Sequence, residues 1–130
     1  MAARDYAPVA VRLGVSIVFL LLGIDQFVHT TAWTGYLPQW FIDFLPAWQT
    51  PEKFMIVNAM FDCLLGLLLL IGVFTRIVAV IAVLHLTGVI ITIGYTDIAI
   101  RDIGILLGAL AVALYGSDRW CLERMLTRTA

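Results

Sequence analysis

The chain has 130 residues, of which 62% are hydrophobic and 13% are charged, and its mean hydropathy is +1.01. This length suits a single domain, residues 1–130, and the composition excludes a soluble globular protein and indicates an integral membrane protein in contact with the lipid bilayer. The net charge of −1 offers no basic surface to a polyanion, so we expect no nucleic-acid partner.

The first predicted span covers residues 8–29 and carries a proline in its first turn. Gly14, Val18, Asp25 and His29 recur at helical spacing and fall near one face. We expect this acidic face to be the buried one. The span is too long for a secretory signal and lacks a small-residue cleavage site, so we expect it to be retained.

Residues 30–49 form a long connection that is rich in aromatic side chains. Aromatic residues at this density are typical of a membrane interface, where a ring can keep one edge wet. The sequence predicts a short amphipathic helix on the membrane surface, and the alternative is an irregular loop folded over the bundle. The most prominent rings are those of Trp33, Tyr36, Trp40 and Trp48.

Three further spans are predicted at residues 51–74, 77–95 and 98–116. Thr50 supplies a capping hydroxyl before the second span, and a proline follows at the first helical position. The connection between the second and third spans is so short that these helices must run antiparallel. The fold class that follows is all-α, an integral membrane four-helix antiparallel bundle.

The fourth span contains a glycine pair of the kind that lets membrane helices approach closely, Gly104 and Gly108. Basic residues at the span ends predict the orientation. Those on the side of the termini are Arg4, Arg12, Arg76, Arg119, Arg124 and Arg128, against Lys53 and Arg101 on the other side. By the positive-inside rule, both termini are expected to be cytoplasmic.

Asp62 is an ionisable group inside an apolar span, which must be shielded from lipid, neutralised or used. We expect it to be protonated or paired with Arg101. A polar pocket is predicted in the outer half of the bundle, beneath the aromatic connection. Its expected members are Asp25, His29, Asn58, Asp62, Arg101 and Asp102, with His85 and Gln26 as additional candidates.

Such a pocket suits an anionic headgroup, a quinone carbonyl or a proton relay, and the alternative is that its charges only lock the helices together. A neutral His85 hydrogen-bonded between helices is the simplest role for that residue. Haem is disfavoured, because His29 lies about 15 Å from the level of His85 along the bundle. Cys63 and Cys121 match no metal spacing, so no metal site is expected.

Four short motifs resemble the DoxX family of small four-helix membrane proteins. They are Gly23 to Phe27, Trp33 to Pro38, Asp62 followed by Gly66 to Gly72, and Thr75 with Arg76. Arg101 and Asp102 at the start of the fourth span also fit the pattern. The resemblance implies a bundle in the cytoplasmic membrane of a bacterium or archaeon, in a family associated with quinone-linked redox systems and oxidative-stress complexes.

The leading hypothesis is a membrane subunit that binds a quinone or a similar lipid-soluble redox partner, with the aromatic connection as a lid. A second hypothesis is a structural or assembly subunit of a larger membrane complex, and a third is a small transporter or channel component. Partner subunits are expected in the first two cases. Whether the chain is itself an enzyme stays open.

Overall fold

The computed structural model describes residues 2–129, which form seven α-helices after a short 3-10 turn at Ala3–Asp5. The four long helices are α1 (Ala7–Val28), α4 (Pro51–Ile71), α5 (Thr75–Ile93) and α6 (Asp97–Tyr115). The short helices are α2 (Thr30–Thr34), α3 (Gln39–Phe44) and α7 (Leu122–Thr129).

The four long helices have the length and apolar character needed to cross a membrane, the first together with the turn that precedes it. Many large apolar side chains along them face outward, as expected where the surroundings are lipid. The expectation of an all-α membrane bundle is confirmed, and the protein is a multi-pass membrane protein. We call the end that carries α2 and α3 the loop end, and the end that carries both termini the terminal end.

Glycines bring α1 and α4 into the closest helix pair of the bundle. A Cβ atom at Gly23 would lie 2.8 Å from the carbonyl oxygen of Ala59, and one at Gly66 would lie 2.9 Å from that of Ser16. Helices α5 and α6 form a second close pair, and α1 joins the two pairs by packing on α6. Helices α4 and α5 make the fewest contacts of these neighbours although they are consecutive.

The apolar core fills the terminal half of the bundle, where side chains from all four long helices interlock. Its most buried members include Phe19, Leu69, Ala79, Ala82 and Ala109. This core ends part-way along the bundle, and the loop half contains a cavity among the four long helices.

A buried ion pair closes the terminal end. Arg12 is 1% exposed, and its Nε donates to Asp118 Oδ2 at 2.6 Å. Its Nη1 donates to the carbonyl oxygens of Leu69 and Leu70, in the last turn of α4. These carbonyls have no partner within their own helix, so Arg12 satisfies them and the Asp118 charge together.

The segment around α7 packs on the turn between α4 and α5. Gly72 ends α4 in the left-handed conformation, with φ of 79°, and a Cβ there would meet Cys121 at 2.5 Å. Glu123 accepts a hydrogen bond from the Thr75 backbone N–H at the start of α5. The C-terminal segment therefore holds the α4–α5 turn in place.

The expected burial of the acidic face of α1 is wrong. Asp25 and His29 are exposed, whereas Gln26 is buried. Consecutive residues are separated by about 100° around a helix, so only one of Asp25 and Gln26 can face the interior. The neutral amide is buried because it shares hydrogen bonds with α4.

Only one glycine of the α6 pair packs closely against another helix. Gly108 packs on Val15 of α1, while a Cβ at Gly104 would have no atom within 4 Å.

Residues 30–49 contain two short helices, α2 and α3, where the sequence predicts a single amphipathic helix. Trp40 and Trp48 are exposed there, and Trp33 is half-buried.

Candidate functional site

A cavity of about 440 Å³ lies among α1, α4, α5 and α6 and is covered at the loop end by residues of the aromatic connection. This volume lies in the range of about 300–1,000 Å³ found for ligand pockets. Most of its wall is apolar or aromatic, with contributions from Phe19, Phe41, Phe54, Phe61 and Val89. Trp33 and Tyr36 line its cover.

Four polar side chains, Gln26, Asn58, Asp62 and His85, meet at the inner end of the cavity, and we call them the inner polar cluster. Gln26 Nε2 donates to Asp62 Oδ2 at 2.7 Å. Asn58 Nδ2 donates to Gln26 Oε1 at 2.8 Å and to Asp62 Oδ2 at 3.3 Å. The amides of α1 and α4 therefore hold one oxygen of the carboxylate in a defined position.

The other oxygen, Asp62 Oδ1, is buried without a hydrogen-bond donor of proper geometry among the described residues. His85 Nε2 lies 2.9 Å from it, which is an ion-pair distance. The two groups are close, but the donor direction that a hydrogen bond requires is not met. Asp62 is 4% exposed and lines the cavity, and its Oδ1 retains an unused capacity to accept a hydrogen bond.

His85 packs edge-on against Phe61, with the ring centroids 4.9 Å apart. This contact restricts the imidazole to an orientation in which Nε2 faces α4. The sequence predicts a neutral His85 hydrogen-bonded between helices. The structure places its Nε2 2.9 Å from Asp62 Oδ1 on α4, without the geometry of a hydrogen bond.

Arg101 pairs with its sequence neighbour and not with Asp62. Its Nε and Nη2 both lie within 3.0 Å of Asp102 Oδ1. The expected Arg101–Asp62 pair is therefore wrong, because the adjacent carboxylate of α6 offers a nearer partner. Arg101 and the buried Asp102 still line the same cavity as Asp62. Within residues 2–129, the Nη1 donors of Arg101 have no hydrogen-bond partner.

The ionisable groups of the cavity face one another in two pairs. Arg101 lies against Asp102, and the imidazole of His85 lies against Asp62. Because an unpaired buried charge is costly, each acid of the cavity wall has a basic side chain beside it. The described residues contain no group of three or more potential metal ligands.

Asp25 and His29 do not line the cavity, which corrects the prediction that placed them in it. Asp25 Oδ2 instead accepts a hydrogen bond from Trp33 Nε1 at 2.7 Å, and His29 Nδ1 lies 2.9 Å from Oδ1. Asp25 therefore orients Trp33, which does line the cavity. Of the other predicted rings, Tyr36 lines the cavity and Trp40 and Trp48 do not.

From the sequence, Arg12 is predicted only to mark the cytoplasmic side of the membrane, and its pairing with Asp118 is not predicted. Burial raises the pKa of Asp118, but hydrogen bonds from Arg12 and from the Trp120 N–H outweigh it and hold that pKa below its ordinary value. The available signal is an arginine in the second turn of an apolar span, with an acid just after the last span. Both lie near the same end of an antiparallel bundle.

The family model of DoxX matches residues 7–95. The match includes α1 to α5 and the whole inner polar cluster, and it ends before Arg101 and Asp102. Neither a curated protein nor a solved structure matches the chain significantly.

Proposed function

This chain belongs to the DoxX family, and we propose that it is a membrane subunit of quinone-linked redox chemistry that binds a quinone or quinol ring in the cavity. The observation that carries the proposal is Asp62, a residue of the cavity wall whose buried Oδ1 lacks a well-directed hydrogen-bond donor. A quinol hydroxyl is a neutral donor that suits such an acceptor in apolar surroundings.

The apolar walls and the polar groups of the cavity support the proposal that its ligand is a flat ring with oxygens on opposite sides. Aromatic side chains such as Phe41, Phe54 and Phe61 favour ring contacts. Asp62 Oδ1 would accept from one hydroxyl, and Arg101 Nη1 would donate to an oxygen elsewhere on the ring. A free anion fits less well, because it would face two carboxylates and one guanidinium.

When bound, a quinone supplies exchange of electrons and protons. The residues of this chain would bind, orient and hold a proton. Gln26 and Asn58 fix Asp62 Oδ2, so that Oδ1 keeps its place whether or not a ligand is present. His85 Nε2, which lies 2.9 Å from Asp62 Oδ1, would be the nearest side-chain group to take up or return a proton at the inner end of the cavity.

We place the protein in the cytoplasmic membrane of a bacterium or archaeon, with both termini in the cytoplasm. The excess of arginine at the terminal end supports this orientation. The cavity then lies towards the outer face. Exchange of electrons would take place with a partner subunit, which this proposal requires.

The test is equilibrium binding of a short-chain quinol to the full chain in nanodiscs. Asp62→Asn keeps the side-chain shape but replaces the carboxylate by an amide. A hydrogen bond to a charged group contributes about 1.5–3 kcal/mol, so we expect quinol affinity to fall at least about tenfold. Asp43→Asn is the matched control, because Asp43 is an exposed carboxylate that does not line the cavity, and this variant should bind quinol as the unmodified chain does.

Equal quinol affinity in Asp62→Asn and Asp43→Asn would contradict the proposal. So would an unmodified chain that binds no quinol and co-purifies with no quinone. If Asp62→Asn instead only weakened association with a fixed partner protein, the assembly-subunit hypothesis would replace it.

A further inference from the structure

The cavity has an opening on the side of the bundle, between α4 and α5. Val57 of α4 and Leu84 of α5 both line the cavity, yet they are 58% and 67% exposed. A residue that lines an internal space and also forms the outer surface marks the rim of an opening. Leu84 is the middle residue of α5, so this rim lies at the depth of the hydrocarbon, well away from either end of the span.

Two features of the packing produce the opening. The turn between α4 and α5 and the core residues Leu69 and Ala79 hold the two helices together at the terminal end. Over their whole length they make few contacts with each other, and the cavity lies between them on the loop-end side of this core. Gly88 then lies one turn beyond Leu84 on the same edge of α5, and a Cβ there would have no atom within 4 Å.

The helical positions separate the rim from the site. His85 points to Asp62 across the gap, whereas Leu84 and Gly88 lie further round α5, on its lipid-facing edge. On α4, Asn58 belongs to the inner polar cluster and donates to Asp62, whereas its neighbour Val57 faces outward. A ligand therefore meets an apolar rim first and polar atoms second.

We propose that this opening is a lateral portal for a ligand with a polar ring and a long apolar tail, such as an isoprenoid quinone. The inference rests on the proposed function and adds the route and the ligand class. The ring enters from the bilayer and reaches Asp62, while the tail stays between Val57 and Leu84 and passes over Gly88 into lipid. The aromatic cover of Trp33 and Tyr36 lies over the other approach, at the loop end.

Gly88 is then the position that decides whether a tail fits. Gly88→Leu would place a branched side chain in the portal, at a position where a Cβ has no atom within 4 Å, and it replaces a poor helix former by a good one. Gly104→Leu is the matched control: Gly104 is also an exposed glycine within a long helix, also without an atom within 4 Å of its Cβ, and it does not line the cavity.

The experiment compares two probes on the full chain in nanodiscs, a benzoquinol with a decyl tail and the same ring without the tail. Misfit of one or a few methylene groups in an apolar site costs about tenfold or more. We expect Gly88→Leu to weaken the tailed quinol by at least about tenfold and the tailless one by less than about twofold. Gly104→Leu should change neither.

Unchanged affinity of Gly88→Leu for the tailed quinol would overturn the portal while leaving the proposed function intact. An equal loss for both probes would also overturn it, because the leucine would then obstruct the ring site. If the unmodified chain bound neither probe, the proposed function itself would fail, and the portal with it.

Discussion

Removal of the charge of Asp118 should destabilise the protein strongly. The Arg12 side chain is 1% exposed and that of Asp118 is 2% exposed, so Asp118→Asn would leave a buried guanidinium without a counter-ion. Breaking a buried pair by removing one partner costs about 3–5 kcal/mol. In Asp118→Asn, Arg12 keeps its hydrogen bonds to the carbonyls of Leu69 and Leu70, and the asparagine side chain keeps one acceptor oxygen. We therefore expect a loss of unfolding free energy near the lower limit of that range.

The assay is loss of helical circular dichroism during titration with sodium dodecyl sulfate in mixed micelles. A loss of about 3 kcal/mol corresponds to a change of more than 100-fold in the unfolding equilibrium constant. Asp43→Asn is the control, since Asp43 is an exposed carboxylate of α3. Arg12→Met should cost less in the Asp118→Asn background than in the unmodified chain, because the two residues act as a pair.

The effect should also depend on pH in a defined direction. The pKa of Asp118 in the folded protein lies below its ordinary value of 3.8. The carboxylate thus contributes fully above that value, and its contribution decreases as the pH falls through the lower pKa of the folded state. Unfolding free energies of Asp118→Asn within about 0.5 kcal/mol of Asp43→Asn at about pH 7 would refute the reasoning.

Three further outcomes follow from other contacts. Asp25→Ala removes the acceptor of the Trp33 indole, and in a background without the other tryptophans we expect stronger acrylamide quenching of Trp33; unchanged quenching would show that Asp25 does not hold the ring. Gly23→Ala should lower stability in the same titration because a Cβ would meet α4 at under 3 Å, whereas Gly104→Ala should not; equal effects would contradict the close α1–α4 packing. Burial raises the pKa of the Cys121 thiol, so its maleimide reaction should be at least about tenfold slower in the folded than in the unfolded chain, and equal rates would contradict its burial.

The membrane architecture could be predicted because it depends on local properties of the chain. Apolar length indicates a span, and short connections force neighbours to run antiparallel. The sequence also predicts Thr50 as a helix cap, and its hydroxyl does accept a hydrogen bond from the Lys53 N–H. None of these features depends on which helix packs against which.

The candidate site was less predictable because it depends on rotations and partners. Adjacent residues such as Asp25 and Gln26 cannot both face the interior of the bundle. Both side chains are strongly polar, so hydropathy does not indicate which of them is buried. Arg101 could reach more than one carboxylate, and only the geometry of α6 selects Asp102. How close His85 lies to α4 depends on the width of the gap between α4 and α5. No periodic pattern in the sequence indicates that width.

The proposal that a quinone ring binds beside Asp62 is tested most directly by photo-crosslinking with an azido-quinone, followed by peptide mapping. We predict adducts on cavity residues such as Phe61 of α4 and Val89 of α5, suppressed by excess unlabelled quinol and strongly reduced in Asp62→Asn. Adducts spread over the lipid-facing residues of all four long helices, insensitive to competition and to Asp62→Asn, would contradict it.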